Sequence, residues 1–336
     1  MASCFSSFVL FSCLVIASLH VHVSSSIYIV KGLSWSFYEK SCPKVESVIR
    51  KHLKKVFEED IGQVPGLLRL HFHDFFIKGC DASVLLDGSA SEPSKKDAPP
   101  NQNLRRTSSL ESNAPKRSFD FHAFQIQTIL SILVLILLDN CNISYSGGPQ
   151  YDVPLGRRDG LTFASVNVTA ENLPPPAQNA SQILTALAKK NFDATDVVAL
   201  SGGDTTGLGH CGAFTRRLYP TQDPTMEKTF AHDLKGVCPT SNSTNTTVLD
   251  IRSPDQFDNR YFVDLVNRQG LFHSDQDLYE DPMTRGILSS FAEDQELFFE
   301  KFVFAMTKMG QLDVLTGTEG EIRANCSVRN LRTPLS

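Results

Sequence analysis

Apolar residues spaced three or four positions apart recur in several segments of this 336-residue chain, and this spacing constrains its fold more than any other feature. The clearest example begins after Ser41 and Pro43 and carries Lys, Arg and Glu between its apolar positions. Those positions are Val45, Val48, Ile49, Leu53, Val56 and Phe57. The pattern predicts an amphipathic helix. Because alternating strand patterns are few and internal repeats are absent, the sequence predicts a mainly α fold.

Further helices are predicted at 181–190 and 195–201, each opened by a capping hydroxyl, and at 285–294 and 295–309, with Gly310 as the stop. The first helix is interrupted by Gly62, Pro65 and Gly66. The apolar segment 67–76 follows as a second, more buried element. Periodicity leaves open whether this element is helix or strand. Residues 89–115 are rich in Ser, Pro, Asn and charge, and they predict a loop.

The amino-terminal residues predict a secreted protein. Residues 1–26 contain an apolar stretch and then small residues at 24–26, which favours a cleaved signal peptide and a single mature domain over 27–336. The apolar run at 129–138 is too short to span a bilayer, so we expect no membrane association. A net charge of -5 provides no basic field that would draw the chain onto nucleic acid.

Cysteines and glycosylation sequons agree with this compartment. Six cysteines remain after the signal peptide, and in an oxidising compartment they favour disulfides over metal binding, although their pairing stays open: Cys42, Cys80, Cys141, Cys211, Cys238 and Cys326. Six sequons suit a glycoprotein: Asn142, Asn167, Asn179, Asn242, Asn245 and Asn325.

The strongest chemical signal is Leu-Arg-Leu-His-Phe-His-Asp at 68–74. In a helix, Arg69 and His73 share one face. A neutral imidazole beside a guanidinium suits peroxide cleavage, because the imidazole moves the proton and the cation stabilises the developing charge. Two alternatives are a buried histidine with an ion-paired arginine, and a strand-borne metal pair of His71 and His73 in a metal-dependent hydrolase.

Seven phrases of the sequence resemble the secretory plant peroxidases, class III of the haem peroxidase superfamily. They occur in the family's order and cover nearly all of the mature chain except about 105–146: "LLRLHFHDFFIKGCDASVLLDGSA", "GGPQYDVPLGRRDG", "NLPPP", "DVVALSGGDTTGLGHC", "RLYPTQDPTM", "FDNRYFVDLVNRQGLFHSDQDLY" and "LTGTEGEIRANCSVRN". The resemblance implies a two-lobed helical fold with haem b in a cleft between a distal and a proximal helix.

The resemblance also implies the roles of individual residues. His73 becomes the distal acid-base residue, Arg69 stabilises the cleaving peroxide, and Asn101 orients His73. Pro174 lies where phenolic donors bind. The implied protein is a monomer that uses hydrogen peroxide to oxidise small phenols in the cell wall, the apoplast or the vacuole.

Two calcium sites are implied as well. The distal site has side-chain oxygens and carbonyls from Asp74, Ile77, Gly79, Asp81 and Ser83, which form the oxygen cage that a hard cation prefers. A solvated acidic turn is the alternative. The proximal site is drawn from Thr205, Asp250, Ser253 and Asp258, with a carbonyl near Gln256; without the resemblance these residues would be ordinary caps and turns.

The chain departs from the family at the proximal iron ligand. Asp204 stands where the family has a histidine, and Asp275 matches the carboxylate behind that histidine. Mutual repulsion should keep one of the two carboxyls protonated, and a neutral acid is a poor iron ligand. We therefore expect weak haem retention. His210 is expected to point elsewhere, since six positions are not a whole number of helical turns.

Other departures affect the distal half and the disulfides. Phe75 replaces the family's partner for Cys80, and Lys95 replaces a glutamate that helps to order calcium and water. The segment at 105–146 lacks the family's helix and two cysteines, so we expect it to pack differently. Of the family's bridges only Cys211 with Cys238 keeps both partners. The alternative function is a catalytically inactive, calcium-stabilised, peroxidase-like glycoprotein.

Overall fold

The computed structural model describes residues 28–101, 104 and 143–330. The predicted signal peptide at 1–26, Cys141, Asn142 and nearly all of the divergent segment 105–146 lie outside these residues. Among the described helices, none is both long enough and apolar enough to cross a membrane.

Helices dominate the described residues, which confirms the predicted mainly α class. In chain order they are α1 (Val45–Glu59), α2 (Gln63–Lys78), α3 (Val166–Asn172), α4 (Ala180–Ala188), α5 (Ala194–Ser201), α6 (Cys211–Phe214), α7 (Lys228–Val237), α8 (Arg260–Val266), α9 (His273–Glu280), α10 (Pro282–Glu293) and α11 (Gln295–Met309). Short 3-10 turns lie at Ser83–Leu85, Lys95–Asp97, Pro99–Asn101, Gly202–Thr205 and Thr215–Arg217. Strands β1 (Leu208–His210) and β2 (Thr246–Val248) pair antiparallel, with Gly209 opposite Thr247.

The element whose type the sequence left open is the helix α2. It begins at Gln63, so Pro65 and Gly66 lie in its first turn, and the prediction that they interrupt the chain before it was wrong. Proline is tolerated there because the first amide groups of a helix have no intrahelical acceptor. The helix also rules out the strand that the metal pair of His71 and His73 required.

The helix caps differ from the prediction. Asn179 caps α4 and Asp193 caps α5, and each side-chain Oδ1 accepts an amide N–H three residues on at 2.9 Å. The predicted capping hydroxyls at 181 and 195 lie inside the helices. The helix α10 begins at Pro282, three residues before the predicted start, with Asp281 as its cap. The helix α11 has the predicted bounds and ends at Gly310.

Two hydrophobic clusters form the core. In the larger one, α11 packs against α5, and aromatic rings fill the space between α8, α10 and α11. Phe298 is fully buried and lies 4.9 Å from Phe262 and 5.7 Å from Phe302, measured between ring centroids. The smaller cluster surrounds the disulfide between Cys211 and Cys238. These two clusters hold α2 and the turn after α5 at a fixed separation.

Candidate active site

A cavity of about 1140 Å³ opens between α2 and the turn that follows α5. Five residues singled out in the sequence line it: Arg69, His73, Pro174, Asp204 and Asp275. Ordinary small-molecule pockets reach about 1000 Å³, so this cavity has room for a large planar cofactor. Arg69 and His73 therefore share a cleft with Asp204, as the proposed distal and proximal walls require.

His73 is held in one orientation by its neighbours. Its Nδ1 lies 2.5 Å from Asn101 Oδ1, and Asn101 Nδ2 donates to the Lys95 carbonyl at 2.6 Å. Because that amide oxygen can only accept, the proton of the neutral ring belongs on Nδ1, which leaves Nε2 as an acceptor. Burial, followed by the charge of Arg69, lowers the pKa of His73 to about 3. His73 is thus a neutral base at ordinary pH.

Arg69 lies one helical turn before His73 on the same face of α2. Its Nε donates to His73 Nε2 at 3.3 Å, and its terminal nitrogen donates to the Pro100 carbonyl at 2.9 Å. The cavity reaches Arg69, which is an exposed residue in spite of these two contacts. A fixed cation next to a neutral base can stabilise negative charge that develops on an oxygen between them.

Two carboxyl groups form the opposite wall. Asp204 lies on the turn Gly202–Thr205, and Asp275 lies in the first turn of α9. Burial first and the charge of Asp275 second raise the pKa of Asp204 well above its usual range, although Arg69 opposes the shift. Burial also raises the pKa of Asp275 to about 6, against the Phe272 amide and Arg217. Both shifts favour the protonated form of the two carboxyls.

His210 lines the same cavity. The prediction that it points elsewhere was based on counting helical turns from Asp204, and that reason was wrong. The chain leaves the helical conformation after Thr205: Thr206 is extended, and His210 ends the strand β1. Counting helical turns from Asp204 therefore says nothing about where His210 points. Its position on β1 sets it apart from the turn that carries Asp204.

Among the oxygens expected around a distal cation, those of Asp74 already have partners. Lys95 is fully buried, and its Nζ lies 3.0 Å from Asp74 Oδ1 and 3.3 Å from the Asp74 carbonyl. Asp74 also accepts the amides of Ala82 and Val84 at 2.8 and 3.0 Å. The charge of Lys95, which stands where the family has a glutamate, is therefore paired with Asp74.

The proximal oxygens are arranged differently. Thr205 Oγ1 lies 3.1 Å from Asp250 Oδ2 and 3.5 Å from both the Gln256 carbonyl and Asp258 Oδ1. Ser253 Oγ is buried and has no hydrogen-bond partner among the described residues. The sequence-predicted residues thus converge on one small volume, together with an orphaned hydroxyl.

Some residues that shape the site gave no signal in the sequence. Lys95 reads as a solvated lysine in a polar loop, and Met306 and Met309 read as ordinary core positions of α11, although both line the cavity. Arg323 is fully buried and donates to the carbonyls of Ala82 and Gly160. The burial of these side chains depends on contacts between segments far apart in the chain.

The cysteines follow the prediction where the structure describes a bridge. Cys211 and Cys238 form a disulfide with Cα atoms 5.8 Å apart. Cys80 is buried, with its Sγ 3.5 Å from His71 Nε2. His71 thus faces Cys80 while His73 faces Asn101, so the two imidazoles do not converge on one point.

The fold and this cavity define a class of protein. The peroxidase family model matches residues 49–294, and the chain belongs to that family. Within the family it is a plant class III peroxidase, an enzyme that oxidises donor molecules with hydrogen peroxide.

Named relatives support the same assignment. The chain is 58% identical to Peroxidase 12 of Arabidopsis thaliana over 92% of its own length and 86% of the relative's. It is 50% identical to the cationic peroxidase SPC4 of Sorghum bicolor, over 89% and 82% of the two lengths. Peroxidase 54 of Arabidopsis thaliana is 39% identical over 89% and 84%.

Proposed function

We propose that this chain is a secreted, monomeric haem b peroxidase that oxidises small phenolic donors outside the cell or in the vacuole, with haem held weakly because Asp204 faces the iron. The observation that carries the proposal is the shared cavity, with Arg69 and His73 on one wall and Asp204 on the other. The proposal treats residues 27–336 as one domain after removal of residues 1–26.

The cavity fits haem in size and lining, whereas the axial position fits it poorly. Apolar residues from α2 and α11 supply flat walls, and Arg69 supplies a cation beside them. Asp204 offers a carboxyl whose raised pKa favours the neutral acid, which is a weaker ligand than imidazole. Haem, when bound, supplies the iron that receives the peroxide and the electrons that reduce it.

The remaining steps belong to side chains of this protein. With haem bound, His73 Nε2 would take a proton from one peroxide oxygen and return it to the other, which would leave as water. The Arg69 guanidinium stabilises the negative charge on the separating oxygens. Asn101 acts as a positioning residue because it fixes the ring and the tautomer of His73. Pro174, at the cavity wall, is proposed to contact the phenol.

We also propose one calcium ion at the proximal residues Thr205, Asp250, Ser253 and Asp258. Two carboxylates, two hydroxyls and the Gln256 carbonyl provide the oxygen ligands that calcium prefers. The orphaned Ser253 hydroxyl is explained if it is a ligand.

The experiment compares Asp204→His with Asp204→Gln in the full secreted chain. The expected result is that histidine increases the Soret absorbance per protein and the rate of phenol oxidation by at least tenfold, whereas glutamine, which fills similar space without a good donor, increases neither. Equal haem content in the wild type and in Asp204→His would contradict the proposed weakness at Asp204.

A second candidate function is a catalytically inactive, calcium-stabilised glycoprotein with the same fold. The raised pKa of Asp204 favours it, because haem retention depends on that position. A wild-type protein that shows no Soret band and no peroxide turnover in excess haem, but binds calcium, would support this candidate over the first.

A further inference from the structure

We propose that the distal cation site of this chain is filled by its own lysine, and that the Lys95 ammonium replaces the calcium ion expected there. The inference concerns the cage formed by Asp74, Asp81 and Ser83, together with the turn Lys95–Asp97. It does not depend on haem binding.

The first argument is the position of the ammonium. Lys95 is completely buried, and a buried ammonium requires a partner charge. Its Nζ lies 3.0 Å from one carboxylate oxygen of Asp74 and 3.3 Å from the carbonyl of the same residue. These two oxygens would be the first ligands of a distal calcium ion. A side chain therefore makes the contacts that the metal would make.

The second argument is that the surrounding oxygens are already satisfied. Asp74 Oδ2 accepts the Ala82 amide at 2.8 Å, and Asp74 Oδ1 accepts the Val84 amide at 3.0 Å. Asp81 Oδ1 accepts the Ser83 amide at 2.9 Å. Calcium takes six to eight oxygens at about 2.3–2.6 Å, so binding would require these oxygens to turn away from their donors.

The third argument is charge. Two carboxylates and one ammonium give the cage a net charge of -1, and a divalent ion would reverse its sign in a buried space. Arg323, which is also fully buried, donates to the Ala82 carbonyl beside the cage, but its charge is balanced by Glu321, 3.9 Å from its Nε. Repulsion between a metal ion and the buried Lys95 ammonium would be weakly screened.

One oxygen of the cage has no partner among the described residues, the buried hydroxyl of Ser83. An ammonium has three N–H donors, and Asp74 takes two of them. The turn that carries Ser83 contacts the turn that carries Lys95. The Ser83 hydroxyl and the third N–H donor of Lys95 thus belong to neighbouring turns. The Lys95 ammonium can therefore satisfy this cage without a metal.

The proximal cage provides the contrast. Asp250 and Asp258 contact Thr205 and also accept the backbone amides of Arg252, Ser253 and Arg260, much as the distal carboxylates accept amides. The difference is that, within the described residues, no side-chain cation contacts either proximal carboxylate. Arg252 lies near, but its Nε pairs with Asp264 at 2.6 Å. The two cages therefore differ in whether the protein supplies its own cation, and the expected stoichiometry is one calcium per chain.

The test is calcium stoichiometry in the full chain, by elemental analysis and calorimetric titration with calcium chloride after removal of bound metal. The wild type is expected to bind one calcium, and Lys95→Glu is expected to bind one more than the wild type. Asp74→Asn should leave the wild-type stoichiometry unchanged, whereas the matched change Asp250→Asn should lower it by one. Two calcium ions in the wild type would overturn the inference.

Failure of the proximal proposal gives a different result. A wild type that binds no calcium, combined with one calcium in Lys95→Glu, would refute the proximal site and support the replacement by Lys95. No gain in either Lys95→Glu or the neutral Lys95→Gln, with native circular dichroism, would overturn the replacement. If Lys95→Glu does not fold, Lys95→Gln and the two aspartate variants decide the question.

Discussion

The pair of Lys95 and Asp74 allows a quantitative prediction about stability. Lys95→Met keeps most of the side-chain volume and removes the charge. The two charged atoms lie 3.0 Å apart, and both side chains are almost completely buried. With an effective dielectric constant of about 20, Coulomb's law gives about 5.5 kcal/mol for their attraction. Desolvation offsets part of this energy in the native protein.

The variant leaves the Asp74 carboxylate buried without a cation, with only the amides of Ala82 and Val84 as donors. Loss of one partner from a buried pair costs about 3–5 kcal/mol. For a domain of this size each kcal/mol shifts the midpoint of thermal unfolding by about 2–4 °C, so Tm should fall by roughly 6–20 °C.

The assay is guanidinium unfolding in EGTA, so that calcium cannot enter the vacated cage. Lys96→Met is the matched control, because the pair of Lys96 with Asp87 is 2.6 Å long but lies at the surface, with side chains 39% and 58% exposed. Such a pair is worth about 1 kcal/mol or less. Adding Asp74→Asn to Lys95→Met should recover part of the loss. The reasoning would be refuted if Lys95→Met lowered the free energy of unfolding by an amount within about 1 kcal/mol of the loss in Lys96→Met. This margin is on the order of what a surface pair contributes.

Three other predictions concern titration and the disulfide. Burial and Asp275 raise the pKa of Asp204 in the folded state, so the folded protein binds more protons than the unfolded one, and stability is lost as pH rises from the unfolded value of 3.8. Urea unfolding at several pH values should show a smaller loss in Asp204→Asn, and an equal loss would contradict the assignment. Replacing Cys211 and Cys238, 27 residues apart, by serine should cost about 3.5 kcal/mol in the same assay, and a cost near zero would be the contrary result. The pKa of His73 is lowered to about 3, so protonation of this residue should not reduce the rate of peroxide consumption by Asp204→His near pH 6.5. A fall in that rate near pH 6.5, at a pH that Asn101→Ala shifts, would show that the imidazole is not held neutral.

Periodicity predicted the helices α1 and α11 because each has a continuous apolar face. It placed the start of α2 wrongly, since Pro65 reads as an interruption unless the first helical turn is known to include it. It also chose hydroxyl caps where Asn179 and Asp193 cap the helices, because neighbouring polar residues are nearly equivalent as caps in sequence.

Proximity in space was harder to predict than helix type. Only the resemblance to a family predicted that Asp204 and Asp275 lie close together. Spacing in the sequence cannot predict a contact between a turn and a helix that begins after several other elements. The resemblance singled out Lys95 as a departure, but nothing in the sequence predicted its burial, since a lysine among Ser, Pro and Lys is normally solvated. Its burial results from the approach of its turn to α2, where Asp74 lies.

The two departures from the family differ in what the new residue can replace. The ammonium of Lys95 supplies the positive charge that holds Asp74, and the carbonyl of the same residue still supports Asn101 and through it His73. The carboxyl of Asp204 supplies no comparable donor for iron, because its raised pKa favours the protonated acid, which is a weaker ligand than imidazole. The new residue therefore makes up for the family's residue at Lys95 in the distal half, but not at Asp204 in the proximal half. We expect Asp204→His alone to bring the Soret absorbance to the level of the double variant Asp204→His/Lys95→Glu. A further increase in the double variant would mean that the distal half also limits haem binding.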